Sequence, residues 1–407
     1  MEDLRLKKLN DMAVKELTKN ILPWWMKYSP DLDHGGFYCE IDNHNVPVKK
    51  ANKFITLAAR LVWTFSSCYR VLKDPLCKEF AQKAYDDLIS SFWDEETEGM
   101  HTWVSPEGNV VDAHKFIYGN AFAVYGLSEY YRAFGDKKAL SYAKRLYARL
   151  EKHVYDPIYG GYFEACTKDW KVEPWLRGVN RLPSDQKTMN THLHMIEAYT
   201  CLLRSDDDLR SPVRRHLYTM INKIVNQDTH HFHYFQDRSW NPTTPEISFG
   251  HDIEASWLMM ESVEVLGEPE AERFARDVCV NMARACLEEG FRSDGAMISE
   301  YDPRTGHFCD QLSWWEQNEA VVGFLNAWEL TGEDKFLDAS CLCFDFIDQH
   351  FVDHEKGGWF AKLSNDGKKV VSEQKSNGPT CPYHNARMCL EVIERYRKHT
   401  MKENEAD

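Results

Sequence analysis

At residues 159–170 the chain reads YGGYFEACTKDW, an alternation of aromatic and small residues that ends in a polar turn. The pattern occurs six times in all, at HGGFYCEID (34–42), GMHTWVSPEGNVVD (99–112), YGGYFEACTKDW (159–170), HFHYFQDRSWNP (231–242), GAMISEYDPRTGHF (295–308) and GGWFAKLSNDGKKV (357–370). Alternation with a period of two residues, bounded by turn residues, is typical of a short β-hairpin. Because the copies are spaced at similar intervals, six repeat units of similar length fill the chain.

Between the hairpins the apolar residues recur with the period of a helix. The clearest such stretches are ITLAARLVWTFSSCYRVL (55–72), NAFAVYGLSEYYRAF (120–134), LHMIEAYTCLLR (193–204), IEASWLMMESVEVL (253–266) and EAVVGFLNAWELTG (319–332). Each is followed by a more polar helical stretch, such as CKEFAQKAYDDLISSFW (77–93). An apolar helix paired with an amphipathic one, repeated about six times, predicts an inner and an outer ring. We therefore predict an all-α fold, an (α/α)6 barrel (toroid) with short β-hairpins at one mouth. An open α-solenoid is the alternative, but its hairpins would not meet in one pocket.

The repeats predict a single domain over residues 1–400, followed by a polar C-terminal tail over 401–407. With 13 Trp, 19 Tyr and 21 Phe among 407 residues, the chain has the material for a large core, which excludes a disordered protein. The sequence contains neither the roughly 18 consecutive apolar residues of a membrane span nor an apolar signal segment in its charged start, MEDLRLKKLND (1–11). The 12 cysteines include no C-x-x-C motif, and we interpret them as reduced core residues of a cytoplasmic protein.

The charge balance bears on the partners of the protein. The chain has 49 Lys and Arg against 64 Asp and Glu, a formal net charge of -15, and no dense basic cluster. We therefore expect neither nucleic acid nor an anionic membrane as a partner, because phosphate binding requires a cationic face. A neutral small-molecule substrate fits better, and we expect a monomer or a weak homodimer. Phosphate-loop, dinucleotide, G-x-S-x-G and H-E-x-x-H motifs are all missing, so we expect no cofactor and no metal.

Histidines are concentrated where a predicted loop meets an inner helix. In TMNTHLHMIE (188–197), His192 and His194 lie about 200° apart around a helix and cannot converge on one ligand. Asn190 and His194 are four residues apart and share a face, so we select that pair. A metal site through H-x-H would need a strand, and the alternative for His194 is a buried core histidine with satisfied hydrogen bonds.

Two further segments bring a histidine to a helix start. In SFGHDIEASW (248–257), His251 and Glu254 lie three residues apart on one face, an arrangement that stabilises an imidazolium ion and fixes the tautomer of the ring. A purely structural ion pair is the alternative there. In GPTCPYHNAR (378–387), His384 stands in the first helical turn, and the helix N-terminus should lower its pKa.

Other candidates stand out against their surroundings. Arg60 lies within the apolar stretch LAARLVWTF, where a buried cation is costly unless an anion or ligand accompanies it; a side chain that reaches the surface is the alternative. Tyr118 begins one inner helix, while Trp315 and Glu319 begin another. Core packing is the ordinary role of such aromatic residues.

Taken together, several of these segments resemble the N-acylglucosamine 2-epimerase superfamily, and within it most closely the cellobiose 2-epimerases, with the mannose 2-epimerases as near relatives. The matching segments are ARLVWTFS (59–66), YGNAFAVYGLSEYY (118–131), NTHLHMIEAYT (190–200), SFGHDIEASWL (248–258), WWEQNEAVVGF (314–324) and CPYHNARM (381–388). The resemblance spans nearly the whole chain, and the members of the superfamily are (α/α)6 barrels.

The resemblance implies a sugar 2-epimerase that opens the pyranose ring, removes the C2 proton and returns a proton to the opposite face. It implies that His251 and His384 are the two acid–base histidines and that His194 assists ring opening. It further implies that Arg60 stabilises the enediolate, and that the substrate is contacted by Tyr118, Asn190, Glu254, Trp315 and Glu319. The chemistry agrees, because a C–H beside a carbonyl needs a base that titrates near neutral pH, and inversion needs a proton donor on each face of a planar intermediate.

One departure concerns the substrate. Cellobiose 2-epimerases commonly have Trp-Lys before the C-P-Y-H stretch, where this chain has Pro379 and Thr380. We nevertheless predict C2 epimerisation at the reducing end of β-1,4-linked disaccharides such as cellobiose, with a D-mannose/D-glucose 2-epimerase as the alternative and aldose–ketose isomerisation as a third outcome. The alternatives of another class are an (α/α)6 glycoside hydrolase, which would use carboxylates such as Asp252, Glu254 and Glu319, and a non-catalytic carbohydrate-binding toroid.

Overall fold

Helices make up most of the computed structural model, which describes residues 3–178 and 183–406. Within those residues there are thirteen α-helices, α1 (Leu4–Glu16), α2 (Leu22–Tyr28), α3 (Ile55–Leu72), α4 (Pro75–Asp87), α5 (Ile117–Phe134), α6 (Lys137–His153), α7 (Met189–Leu203), α8 (Arg210–Thr219), α9 (Phe249–Leu266), α10 (Pro269–Ala285), α11 (Trp314–Thr331), α12 (Asp334–His350) and α13 (Tyr383–Ala406). None of these described helices is both long and apolar enough to cross a membrane. The tail predicted at 401–407 is helical as far as Ala406, and Asp407 lies outside the described residues.

The inner helices form a closed ring. Helices α3, α5, α7, α9, α11 and α13 each pack against the next, and α13 packs against α3. The outer helices α4, α6, α8, α10 and α12 each pack against the inner helix that precedes them, while α1 packs against α13 and α12. The contact between α13 and α3 excludes the open solenoid and confirms the (α/α)6 toroid.

The difference between the two rings follows from the sequence. Helix α3 is buried on all sides from Ile55 to Cys68, whereas the outer helix α6 buries only one face, formed by Ala139, Ala143, Leu146 and Leu150. Helices α5, α7, α9 and α11 begin before the apolar stretches that predicted them. Their first turns contain polar residues such as Asn190 and His251, which interrupt the apolar pattern although they are inside the helix.

The strands lie at the mouth where the inner helices begin. Within the described residues they are β1 (Ile41–Asp42), β2 (Lys53–Phe54), β3 (Trp93–Asp94), β4 (Gly99–Met100), β5 (Trp103–Val104), β6 (Val110–Asp112), β7 (Lys115–Phe116), β8 (Ala165–Cys166), β9 (Lys187–Thr188), β10 (Phe235–Gln236), β11 (Ile247–Ser248), β12 (Glu300–Asp302), β13 (His307–Phe308), β14 (Gln311–Ser313), β15 (Lys362–Ser364) and β16 (Gln374–Ser376). The predicted hairpins at 99–112 and 295–308 form antiparallel ladders of their own, β5–β6 and β12–β13.

The other pairings join one repeat to the next. The strand before each inner helix pairs with the hairpin segment of the following repeat, as β2–β5, β7–β8, β9–β10, β11–β12, β14–β15 and, closing the circle, β16–β1. These pairings fix the start of every inner helix relative to its neighbour. The mouth is therefore rigid where side chains from different helices meet.

A buried lysine–aspartate pair, which we did not predict, anchors four of these junctions. The lysine stands in the strand before an inner helix and the aspartate follows an outer helix, at Lys53–Asp31, Lys115–Asp94, Lys187–Asp156 and Lys375–Asp353, with Nζ–carboxylate distances of 2.7–3.3 Å. In each case four residues separate the aspartate from a glycine. The sequence pattern D-x-x-x-x-G, followed by a lysine just before the next inner helix, could therefore have predicted these pairs. Breaking such a pair by removing one partner typically costs about 3–5 kcal/mol.

Candidate active site

Three buried histidines lie at the mouth of the ring. His251 and His384 occupy the first turns of α9 and α13, and His194 lies in the second turn of α7, with 8, 4 and 3% of their surfaces exposed. The rings of His251 and His384 both contact the indole of Trp315, with centroid distances of 4.6 and 5.6 Å. Helices far apart in sequence thus bring two imidazoles against one aromatic ring.

His384 is held by a carboxylate. Its Nδ1 lies 2.6 Å from Oε1 of Glu319 and 4.0 Å from Oε1 of Glu254. An ionised carboxylate only accepts hydrogen bonds, so Nδ1 is protonated and the lone pair is on Nε2. Burial, together with the guanidinium groups of Arg60 and Arg387, lowers the pKa of His384 well below its usual range. The pKa is lowered by burial and by these charges, not by the helix N-terminus on which the expectation rested, and the ring is neutral at pH 7 with Nε2 unprotonated.

His251 has a different partner from the one expected. Its Nδ1 lies 2.7 Å from Oγ of Ser248, whereas Glu254 contacts Arg387 instead of the His251 ring. The expected pairing of His251 with Glu254 is therefore wrong; both Ser248 and Glu254 are three residues away, but the carboxylate points toward α13. Burial lowers the pKa of His251 to about 3, below the near-neutral value expected of the base, and this ring is also neutral at pH 7.

His194 lies beside Tyr118 and is supported by its own helix. Its Nδ1 is 2.9 Å from Oε2 of Glu197, and its ring meets that of Tyr118 edge-on at 4.9 Å. Asn190, one turn earlier, is half-buried, and its Oδ1 has no hydrogen-bond partner among the residues that the structure describes. By contrast, His192 turns away and accepts a hydrogen bond from the backbone N–H of Tyr162 at 2.9 Å. The prediction that His192 and His194 do not converge is confirmed.

Arg60 is a buried cation that points into the same region. Its Nη2 donates to Oη of Tyr118 at 2.7 Å, and its Nη1 donates to the carbonyl oxygen of Pro379 at 2.9 Å. The guanidinium also lies over the rings of Phe122 and Tyr383. Arg60 is only 1% exposed, so its side chain does not reach the surface. In the part of the chain that the structure describes, it forms no ion pair with a carboxylate, and its positive charge is free for an anionic ligand.

Arg387 is a site residue that the sequence reasoning missed. Its guanidinium, also buried, contacts Glu197, Glu254, Glu319 and Oη of Tyr383. The indole Nε1 of Trp257 donates to the other oxygen of Glu319 at 3.0 Å, so both oxygens of this carboxylate accept hydrogen bonds. The available signal was an arginine one helical turn after His384, within the quoted segment CPYHNARM.

The same carboxylates have the spacing of a metal site. One ligand atom from each of Glu254, Glu319 and His384 lies within 4.8 Å of the others. However, Nη2 of Arg387 contacts both carboxylates and already supplies a positive charge between them. A divalent cation there would have to displace a buried guanidinium, so this donor set does not suit a metal. The arrangement instead suits proton transfer beside a developing negative charge.

Comparison with known proteins gives one consistent result. A family model described as N-acylglucosamine 2-epimerase (GlcNAc 2-epimerase) matches residues 35–388. The chain is 41% identical to a cellobiose 2-epimerase of Bacteroides fragilis over 93% of this chain and 97% of that protein. It is 35% identical to a cellobiose 2-epimerase of Ruminococcus albus over 94 and 97%. The solved cellobiose 2-epimerase of Bacillus thermoamylovorans superposes with a TM-score of 0.90 at 33% identity and covers 96% of this chain and all of that one.

Proposed function

The chain belongs to the N-acylglucosamine 2-epimerase family and is an isomerase, and on that premise we propose that it interconverts the glucose and mannose configurations at C2 of the reducing-end residue of β-1,4-linked disaccharides such as cellobiose. The observation that most supports this proposal is the contact of His251 and His384 with one indole, from two separate helices. Relatives that are 41 and 35% identical over nearly their whole length are named for this reaction.

The proposed reaction begins with ring opening. His194, whose Nδ1 is held by Glu197, assists the opening of the pyranose to the aldehyde and binds the oxygens at the reducing end. One of the two neutral imidazoles, His251 or His384, then removes the C2 proton through Nε2. The electron pair left on C2 moves into the carbonyl and gives an enediolate.

The charge of this intermediate needs a fixed partner. Arg60 is already desolvated and held by Tyr118 and Pro379, so it pays no further reorganisation cost when the negative charge develops. The opposite histidine, after taking a proton from solvent, donates that proton to the other face of C2, and the ring closes on the inverted centre. The histidine that acted as base then loses the proton taken from C2 to solvent. Contacts with Tyr118, Asn190 and Trp315 orient the sugar in this proposal, while Glu254 and Glu319 act from behind His384.

The proposal is tested by incubating the protein with cellobiose, mannobiose, glucose and mannose separately in D₂O and following C2 by NMR. We expect deuterium at C2 and formation of the C2 epimer. No exchange with any of the four sugars would exclude an epimerase acting on them. Release of reducing sugar from a glycoside would favour a hydrolase, and a ketose product would show that the proton returns to C1.

A monosaccharide epimerase is the second candidate, and one observation favours it. The side chain of Pro379 is exposed, while its carbonyl oxygen binds Arg60, so this position borders the site without an aromatic ring for a second sugar. Sugar rings commonly stack on aromatic faces, so the absence of a ring at position 379 weakens binding of the non-reducing residue.

The variant Pro379→Trp tests this point. Because the side chain is exposed and the contact with Arg60 uses the backbone, we expect a folded protein whose kcat/KM for cellobiose rises by about 3- to 10-fold, the effect of about 1 kcal/mol of stacking. The value for mannose should stay within about twofold. Pro379→Ala serves as the control for loss of proline alone. An equal change for both sugars would show that position 379 does not contact the second residue.

We also propose that the enzyme works in the reducing cytoplasm as a monomer or weak homodimer. The cysteines are free thiols, all buried except the partly exposed Cys309 and Cys341. Free buried thiols are typical of proteins that stay in a reducing compartment. Cell fractionation tests the compartment, and light scattering of the purified chain tests the oligomeric state.

A further inference from the structure

Arg387 connects two of the three histidines through their carboxylates. Its Nη1 contacts Glu197, which holds Nδ1 of His194 at 2.9 Å, and its Nη2 contacts Glu319 at 2.7 Å, which holds Nδ1 of His384 at 2.6 Å. One guanidinium therefore supports side chains from α7, α11 and α13 at once. The ring of His251 stands outside this network, because its Nδ1 binds Ser248.

The charges of the network are unbalanced without the arginine. Glu197, Glu254 and Glu319 are all nearly inaccessible to solvent, so three carboxylates share one buried region. Burial raises the pKa of Glu197, and burial together with the neighbouring Glu319 raises that of Glu254, while Arg387 lowers both. Removing the guanidinium would leave carboxylates that take up protons rather than remain charged.

The protonation state of these carboxylates determines which ring nitrogen is the base. An ionised carboxylate accepts a hydrogen bond from Nδ1–H and leaves the Nε2 lone pair free. A protonated carboxyl donates to Nδ1 instead, so the ring proton moves to Nε2 and that atom no longer accepts a proton. The same groups can thus produce an active or an inactive tautomer with little change in structure.

We propose that Arg387 is a positioning residue for the C2 epimerisation: it holds Glu197 and Glu319 in place as hydrogen-bond acceptors, so that His194 and His384 both present an unprotonated Nε2 to the sugar. The catalytic consequence of this inference rests on the proposed function. The effect of Arg387 on the tautomers of the two histidines does not, because it is measured without substrate. Oη of Tyr383 contacts both Arg387 and Glu197 and completes the network on that side.

The tautomers are measured directly by NMR of the ¹⁵N-histidine-labelled full chain near pH 7, with signals assigned from His194→Asn, His251→Asn and His384→Asn. In the unmodified protein we expect protonated Nδ1 and unprotonated Nε2 on His194 and His384. In Arg387→Met both rings should shift toward the Nε2–H form, while the signals of His251 stay in place. Arg387→Lys keeps the positive charge but loses the paired N–H donors of the guanidinium. Its His194 and His384 rings should therefore show a mixture of the Nδ1–H and Nε2–H tautomers.

A milder variant separates the two arms of the network. In Glu197→Gln the amide oxygen can remain on Arg387 while its N–H group faces Nδ1 of His194. We therefore expect the tautomer of His194 alone to change, with His384 unaffected. This variant keeps the side-chain volume and removes a buried charge, so it tests the proposal even where Arg387→Met does not fold.

Activity provides the second readout. We expect Arg387→Met to lower kcat by about 10²- to 10³-fold and Arg387→Lys to lower it by less than about tenfold, in line with its mixture of tautomers. Unchanged imidazole signals in folded Arg387→Lys and Glu197→Gln would overturn the proposal. If the tautomers respond as expected but the unmodified protein epimerises no sugar, the proposed function fails and the positioning role stands.

Discussion

Replacing His384 with asparagine is expected to lower kcat for C2 epimerisation by about 10²- to 10⁴-fold, and His251→Asn is expected to have an effect of the same order. Asparagine is close in size and polar, so each variant removes the titrating group without opening a large cavity. Both rings are buried and neutral at pH 7, so either can accept the C2 proton, and the histidine that donates to the opposite face first takes a proton from solvent.

Solvent exchange makes this prediction sharper than loss of activity. If the two histidines face opposite sides of C2, each single variant retains the base for one epimer only. In D₂O we therefore expect His251→Asn to exchange C2 of one sugar of an epimeric pair and His384→Asn to exchange C2 of the other, with inversion lost in both. The same epimer exchanging in both variants would contradict a two-base mechanism. His354→Asn, on the exposed outer side of the ring, is the control.

Replacing Arg60 with methionine is expected to lower kcat by about 10²- to 10³-fold, the range found when one donor to a developing oxyanion is removed. Arg60→Lys should recover only part of this loss, because an ammonium group cannot contact Tyr118, Pro379 and the sugar oxygens in the same fork. The KM should change far less than kcat, since the enediolate charge exists only after the proton has left C2.

Stability separates this effect from misfolding. Arg60 is buried without a carboxylate partner among the described residues, so its methionine replacement loses hydrogen bonds but also loses a desolvation cost. We expect the free energy of unfolding of Arg60→Met to remain within about 1 kcal/mol of the unmodified protein, measured by urea denaturation. A loss of activity that merely follows a loss of folded protein would contradict the proposed role. So would a kcat of Arg60→Met within threefold of that of the unmodified protein.

The candidate site shows where sequence reasoning reaches its limit. Arg60 stood out because it interrupts an apolar helix, whereas Arg387 lies among polar residues one turn after His384 and looked like an ordinary helical arginine. Likewise, Ser248 and Glu254 are equally distant from His251 along the chain. Only the closed ring brings Arg387 of α13 to Glu254 of α9, and Ser248 is left as the partner of the imidazole.

The sequence by itself determined the six repeat units, the alternation of buried and amphipathic helices, and the presence of histidines at the starts of inner helices, because periodicity and helix starts depend on residues close together in the chain. Only the tertiary structure decided that α13 closes against α3 and which side chain holds each imidazole. The carboxylate partners of His384 and Arg387 are 65 to 190 residues away, on different inner helices. Their contacts are set by the geometry of the closed ring, which no local pattern contains.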